Sequence, residues 1–429
     1  MKFLIKNGRV IDPANKVDDI RNIFVADGLI ADSDNIDTSD KGVEIIDASG
    51  FIVAPGFIDM HVHLREPGQE YKEDITTGSW AAAAGGFTAI CCMPNTDPVV
   101  DNHVVASFIK ERARKSALVK VWPVGAITKQ LAGEELSEIA GLVSAGCVAV
   151  SDDGNPVKKA NMMRNGLEYA KMFDLPVLSH CEEEDLSSGG LMHEGLYSFI
   201  YGLKGIPAAA EAIMVGRDIS LARLTGGRLH ICHISAAESV ELVRRAKEEG
   251  LPVTCEVTPH HLALSDKIIG SYNGNTKVNP PLRGQEHIDA LIAAVSDGTI
   301  DCIATDHAPH HIESKDCEFQ TASFGISGLE TAVAVCMDMV NRNILELNRV
   351  IEMFTSKPAG ILRIKGGVFD IGAPADITVI DLKLKKTVDV STFYSKGKNS
   401  PFHGQELTGW PVLTMVDGKI AAQNGKIII

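Results

Sequence analysis

The chain has 429 residues, 45% of them hydrophobic and 23% charged, a balance that suits a globular protein with one large domain and a smaller one. A formal net charge of -15 argues against a nucleic-acid surface, which needs clustered Lys and Arg, and no eighteen-residue apolar run offers a membrane-spanning helix. The opening MKFLIKNGRVID carries no secretory leader pattern, and nine scattered cysteines read as buried thiols, so a reducing cytoplasm is expected.

In chain order, the first fifty or so residues read as short strands and turns: 3–5, then Asn7-Gly8, 23–25, Asp27-Gly28 and 45–46. The end of the chain has the same texture, with β-rich runs at 375–380 and 412–416 and turn signals at Asp417-Gly418 and Asn424-Gly425. Two β-rich ends flanking a different middle predict that residues 1–53 and 363–429 meet in one small β-sandwich domain. Two independent appendages are the alternative.

Between them the pattern is strand, loop, helix, repeated. Strand-like runs end near Ile58, Ile90, Val124, Val150, Leu178, Ile231, Thr254 and Ile303, with helical stretches such as 239–249 and 289–295 between them. Eight such strands over residues 54–362 predict an α/β fold, a (β/α)8 TIM barrel with its site at the C-terminal strand ends. An open doubly wound sheet would favour an early GxGxxG turn, and none follows the first strand.

The residues at those strand ends carry the chemistry. The first strand leads into His61 and His63, which alternation places on one face, able to share one cation. Arg65 would be next on that face if the strand continued, suited to an anionic substrate. The fourth strand is followed by Asp152, Asp153 and Gly154; the fifth ends in His180, the sixth in His233, and the eighth in Asp306, followed by His307 and His310. Each alone reads more simply as a hydrogen-bonded strand-end histidine or a turn. Their joint occurrence at one rim is much harder to obtain by accident.

Four motifs carry a resemblance: HVHLREPG at 61–68, MPNT at 93–96, NPPLR at 279–283 and ATDHAPH at 304–310. Over almost its whole length the chain resembles the amidohydrolase superfamily and, within it, the dihydroorotases of the class I bacterial type. That resemblance implies zinc-dependent, reversible hydrolysis of L-dihydroorotate to N-carbamoyl-L-aspartate in pyrimidine biosynthesis. It implies two zinc ions: His61, His63 and Asp306 on one, His180 and His233 on the other, with Asp153 as the bridge. Many relatives bridge with a carbamylated lysine after the fourth strand, which here has none. Asp152 should point elsewhere by alternation, although a turn could reverse the choice.

Asp306 would be the catalytic carboxylate. His63, Arg65, Asn95, Asn279, His310 and the backbone at Phe324 and Gly325 would meet the substrate. A homodimer is a further implication of the same resemblance, and the sequence leaves open whether the enzyme works alone or docked to aspartate carbamoyltransferase. Adjacent His260 and His261 face opposite ways and read as structural, Met162 and Met163 as helix packing, and Arg283 as a surface or salt-bridging residue. The polar stretch 310–323 reads as a mobile cover. Hydantoinase or allantoinase activity, and a non-catalytic scaffold with eroded ligands, are the competing readings.

Overall fold

Short runs of β-branched and small apolar residues, nearly all buried, form eight parallel strands: Phe57–Val62, Phe87–Cys92, Lys120–Gly125, Ala149–Ser151, Val177–Ser179, Leu229–Ile231, Val253–Val257 and Cys302–Ile303. A strand covered on both faces needs no polar alternation, which explains these compact apolar stretches. This computed structural model describes residues 2–32 and 42–429. Each strand pairs with its neighbours in sequence order. The ring closes through a parallel bridge between Val62 and His307, where the His63 amide donates to the His307 carbonyl at 2.8 Å.

The connecting helices bury one stripe each against this ring. Helix Ala160–Lys171 turns Met162, Met163, Gly166, Leu167 and Ala170 inward, so the methionine pair packs as expected. The predicted helices at 239–249 and 289–295 occur as Ala237–Glu248 and Gln285–Asp297. Beneath the first two strands, Phe354 stacks on Phe57 with centroids 5.1 Å apart and meets Phe87 edge-on at 5.6 Å. Among the described residues no helix is long and apolar enough to cross a membrane.

The two ends of the chain do meet. They form one nine-stranded sheet in which Ile52–Pro55 is the seam, parallel to Lys2–Asp12 on one side and antiparallel to Ile377–Thr387 on the other. Phe3, Ile5, Val25, Val53, Ile377 and Met415 are among the side chains of its own core. The sheet abuts the barrel closely at Gly56, where a Cβ would lie 2.2 Å from Thr88 Oγ1 and 2.7 Å from the Asp376 side chain. Lys120 Nζ ties the third barrel strand to Asp376 at 2.6 Å.

Candidate functional site

The predicted residues converge at the C-terminal rim. A cavity there is lined by His63, Arg65, Asn95, Asp153, His180, His233, Asn279, Asp306, His310, Phe324 and Gly325. His61 lies behind them, fully buried. No lysine lines this cavity among the described residues.

Two buried trios share the floor: His61, His63 and Asp306, and Asp153, His180 and His233, each with its nitrogen and oxygen atoms close enough to hold a metal ion. The Asp153 carboxylate stands between them. Its Oδ2 is 3.2 Å from His61 Nε2 and 3.4 Å from His63 Nε2, while its Oδ1 is 3.4 Å from His233 Nε2 and 3.7 Å from His180 Nδ1. Asp306 Oδ1 is 3.0 Å from His63 Nε2 and 3.7 Å from His61 Nε2. Asp152 turns away, accepting from the amides of Ile127 and Thr128 at 2.8 and 2.9 Å.

These residues fit a bound cation on two counts. His61 Nε2 and Asp153 Oδ1 are buried without a hydrogen-bond partner, a costly condition unless something else satisfies them. The field also favours positive charge. Burial disfavours the His61 imidazolium, yet Asp153 and Glu256 outweigh it and hold its pKa well above the usual value. Burial likewise opposes the Asp306 carboxylate, yet His63 and His61 hold its pKa well below the ordinary range. Divalent metals at imidazole and carboxylate donors meet both conditions.

A second layer orients the imidazoles. His61 Nδ1 donates to Glu256 Oε1 at 2.7 Å, and Glu256 also takes His230 Nε2 at 3.2 Å and the His233 amide at 3.3 Å. His180 Nε2 donates to Glu182 at 2.9 Å, and His63 Nδ1 to Asn95 Oδ1 at 2.9 Å. Such contacts fix the tautomer and leave the other nitrogen free to hold an ion. Sequence reasoning missed Glu256 and Glu182. Glu256 had a signal: a carboxylate inside the buried run VTCEV must be paired.

Several predicted contacts reach the site by routes that alternation does not give. The first strand ends at Val62, and Arg65 lies in a left-handed turn at φ 61. It still lines the cavity, with Nε donating to the Pro309 carbonyl at 3.4 Å. Burial lowers its pKa to about 10, which leaves it charged near neutrality. Asn279 Nδ2 donates to Glu182 at 2.8 Å. His310 Nε2 donates to the Phe324 carbonyl at 2.8 Å, and burial with nearby Arg65 pushes its pKa down to about 3, keeping the ring neutral. The Gly325 amide is already committed, donating to the Lys277 carbonyl at 3.0 Å.

The stretch 310–323 is pinned from below. Lys315 Nζ donates to the carbonyls of Lys277, Ser323 and Gly325 at 3.2, 2.7 and 2.9 Å. His260 and His261 are buried on the short helix Pro259–Ala263, where His261 Nε2 donates to the Pro280 carbonyl at 2.9 Å. Neither belongs to the trios.

Of the two readings for Arg283, the structure gives the salt-bridging one, with the side chain buried and not at the surface. It donates from Nε to Ser235 Oγ at 3.0 Å and lies 3.5 Å from Glu211, which in turn receives the amides of Ser235 and Ala236 just past His233. Removing one member of a buried ion pair strands the other. Arg283→Ala is therefore expected to cost about 3–5 kcal/mol in denaturant unfolding, while Arg283→Met combined with Glu211→Gln should cost clearly less.

A family model described as dihydro-orotase-like matches residues 50–239. The dihydroorotase of Solibacter usitatus is 51% identical over 420 residues, covering 97% of this chain and 97% of that protein. The dihydroorotase of Pelotomaculum thermopropionicum is 51% identical over 426 residues, covering 99% of each. Among solved structures, the L-hydantoinase of Arthrobacter aurescens superposes with a TM-score of 0.89 at 27% identity, covering all of this chain and 97% of that one.

Proposed function

This chain belongs to the dihydroorotase family of amidohydrolases, and on that premise we propose that it carries out zinc-dependent, reversible hydrolysis of L-dihydroorotate to N-carbamoyl-L-aspartate. The observation that carries the reading is the single Asp153 carboxylate shared between two buried donor trios. His61, His63 and Asp306 would hold one zinc, His180 and His233 the other, with Asp153 bridging. When bound, such a pair lowers the pKa of water to about 7 and polarises the scissile carbonyl.

The protein's own groups do the rest. Asp306 Oδ1, beside His63 Nε2 at 3.0 Å, accepts the proton of the attacking water and returns it to the departing ring nitrogen. Arg65 has its Nε on Pro309, and its remaining guanidinium donors take the substrate carboxylate. Asn95 spends its carbonyl on His63 and Asn279 an amide hydrogen on Glu182, so Asn95 offers N–H and Asn279 offers its oxygen. His310, neutral and with Nδ1 unpartnered, supplies an acceptor for a ring N–H. With the Gly325 amide committed, the backbone contact falls to Phe324. The reading extends to a cytoplasmic homodimer in pyrimidine biosynthesis, working alone or docked to aspartate carbamoyltransferase.

The decisive assay follows dihydroorotate hydrolysis and metal content on one sample. A chelator should abolish turnover and zinc should restore it; no turnover with zinc fully bound, or faster hydrolysis of hydantoin or allantoin, would reject the substrate. Asp306→Ala is expected to lower kcat by at least about 10²–10⁴-fold, and appreciable turnover in that variant would remove Asp306 from the proton path. Arg65→Ala should raise KM by about tenfold or more with kcat little changed, because its contact is made in ground and transition states alike. Loss of metal from that variant would give Arg65 a structural part instead.

A further inference from the structure

Between strands Ile377–Thr387 and Glu406–Val416 the chain leaves the terminal sheet and crosses to the barrel rim. This excursion is held by buried polar contacts. Ser395 Oγ donates to Glu73 at 2.5 Å, and the Tyr394 amide to Glu330 at 2.8 Å. On the rim, its Asn399 side chain is only 3% exposed.

The Asn399 carboxamide uses all of its hydrogen-bonding capacity on two segments of the pocket wall. Its Oδ1 accepts from the His310 amide at 3.0 Å and from Ser327 Oγ at 2.9 Å. Its Nδ2 donates to the carbonyls of Ala308 at 3.1 Å and Gly325 at 3.0 Å. One side chain thus clamps the loop after the eighth strand to the segment that carries Phe324. The joint has no slack, because a Cβ on Gly325 would lie 2.8 Å from both the Ala308 Cβ and its carbonyl oxygen.

We infer that Asn399 is a positioning residue for the reaction, setting the spacing of His310 and Phe324 at the substrate without lining the cavity itself. Two carbonyls on one side and an N–H and O–H on the other call for a carboxamide. The isosteric aspartate would set an oxygen against two carbonyl oxygens. Serine or alanine would leave several buried groups unsatisfied, each costly in place. The C-terminal segment therefore braces the wall of the active site, beyond forming a docked sheet.

This inference rests on the reading that His310 and the Phe324 backbone meet the substrate, so His310→Ala is measured beside Asn399→Asp. The readouts are steady-state kinetics on dihydroorotate, zinc content and melting temperature of the purified holoenzyme. Asn399→Asp is expected to raise KM by about tenfold or more with kcat within about threefold, at wild-type zinc content. Unchanged KM in Asn399→Asp beside a raised KM in His310→Ala would overturn the inference and leave the reading intact. Unchanged KM in His310→Ala would overturn both. Lost zinc or a fall in kcat alone would make Asn399 a purely structural anchor. Should Asn399→Asp not accumulate, Ser327→Ala deletes one of the four bonds, and its KM must rise in the same direction; an unchanged KM there also overturns the inference.

Discussion

One buried carboxylate organises the rest of this site. Asp153 is 3% exposed and faces four imidazoles delivered by the first, fifth and sixth strands. A charge so placed is stable only against compensating positive charge, and an acceptor on the far side of an imidazole keeps the right nitrogen inward. Glu256, Glu182 and Asn95 do this for His61, His180 and His63 at 2.7 to 2.9 Å, whereas His233 is held by its amide on Glu256 at 3.3 Å. The demand set by Asp153 therefore reaches outward through the imidazoles to residues of the seventh strand, the fifth-strand loop and the second-strand loop.

The reach of an aspartate imposes a further condition. A carbamylated lysine spans far more than an aspartate, so the backbone must bring residue 153 to the cluster. The fourth strand stops at Ser151, the Asp153 amide donates to Ser151 Oγ at 3.0 Å, and Gly154 continues the turn at φ +87. Asp152 fastens that turn to the neighbouring loop through the amides of Ile127 and Thr128. Two adjacent aspartates thus divide the work: one holds the turn, the other faces the imidazoles.

What was legible in the sequence followed from how a barrel distributes its residues. Strand ends can be read from apolar runs, and a histidine or aspartate just beyond one falls on the rim, so His61, His63, Asp153, His180, His233 and Asp306 could be named together. Side chains that act through the backbone path beyond a strand are less visible. Arg65 arrives by a left-handed turn, which period-two alternation does not describe. The stretch 310–323 looked free because it is polar, yet Lys315, a residue type seldom buried, anchors it through three carbonyls. Polarity marks a segment as outside the apolar core; it does not say whether its polar groups meet water or each other.

Asn399 shows the limit most clearly. It lies 89 residues from the His310 amide it accepts from, in a part of the chain whose texture announces only a terminal sheet. No local pattern links the two, because the link is made by tertiary closure: the seam strand Ile52–Pro55 holds both chain ends against the barrel, and Lys120 fastens that sheet at Asp376. With those contacts made, the excursion between Thr387 and Glu406 falls over the rim beside the eighth strand. The small domain then fixes the large domain's mouth, which gives the paired termini a physical reason to meet next to the barrel rather than apart from it.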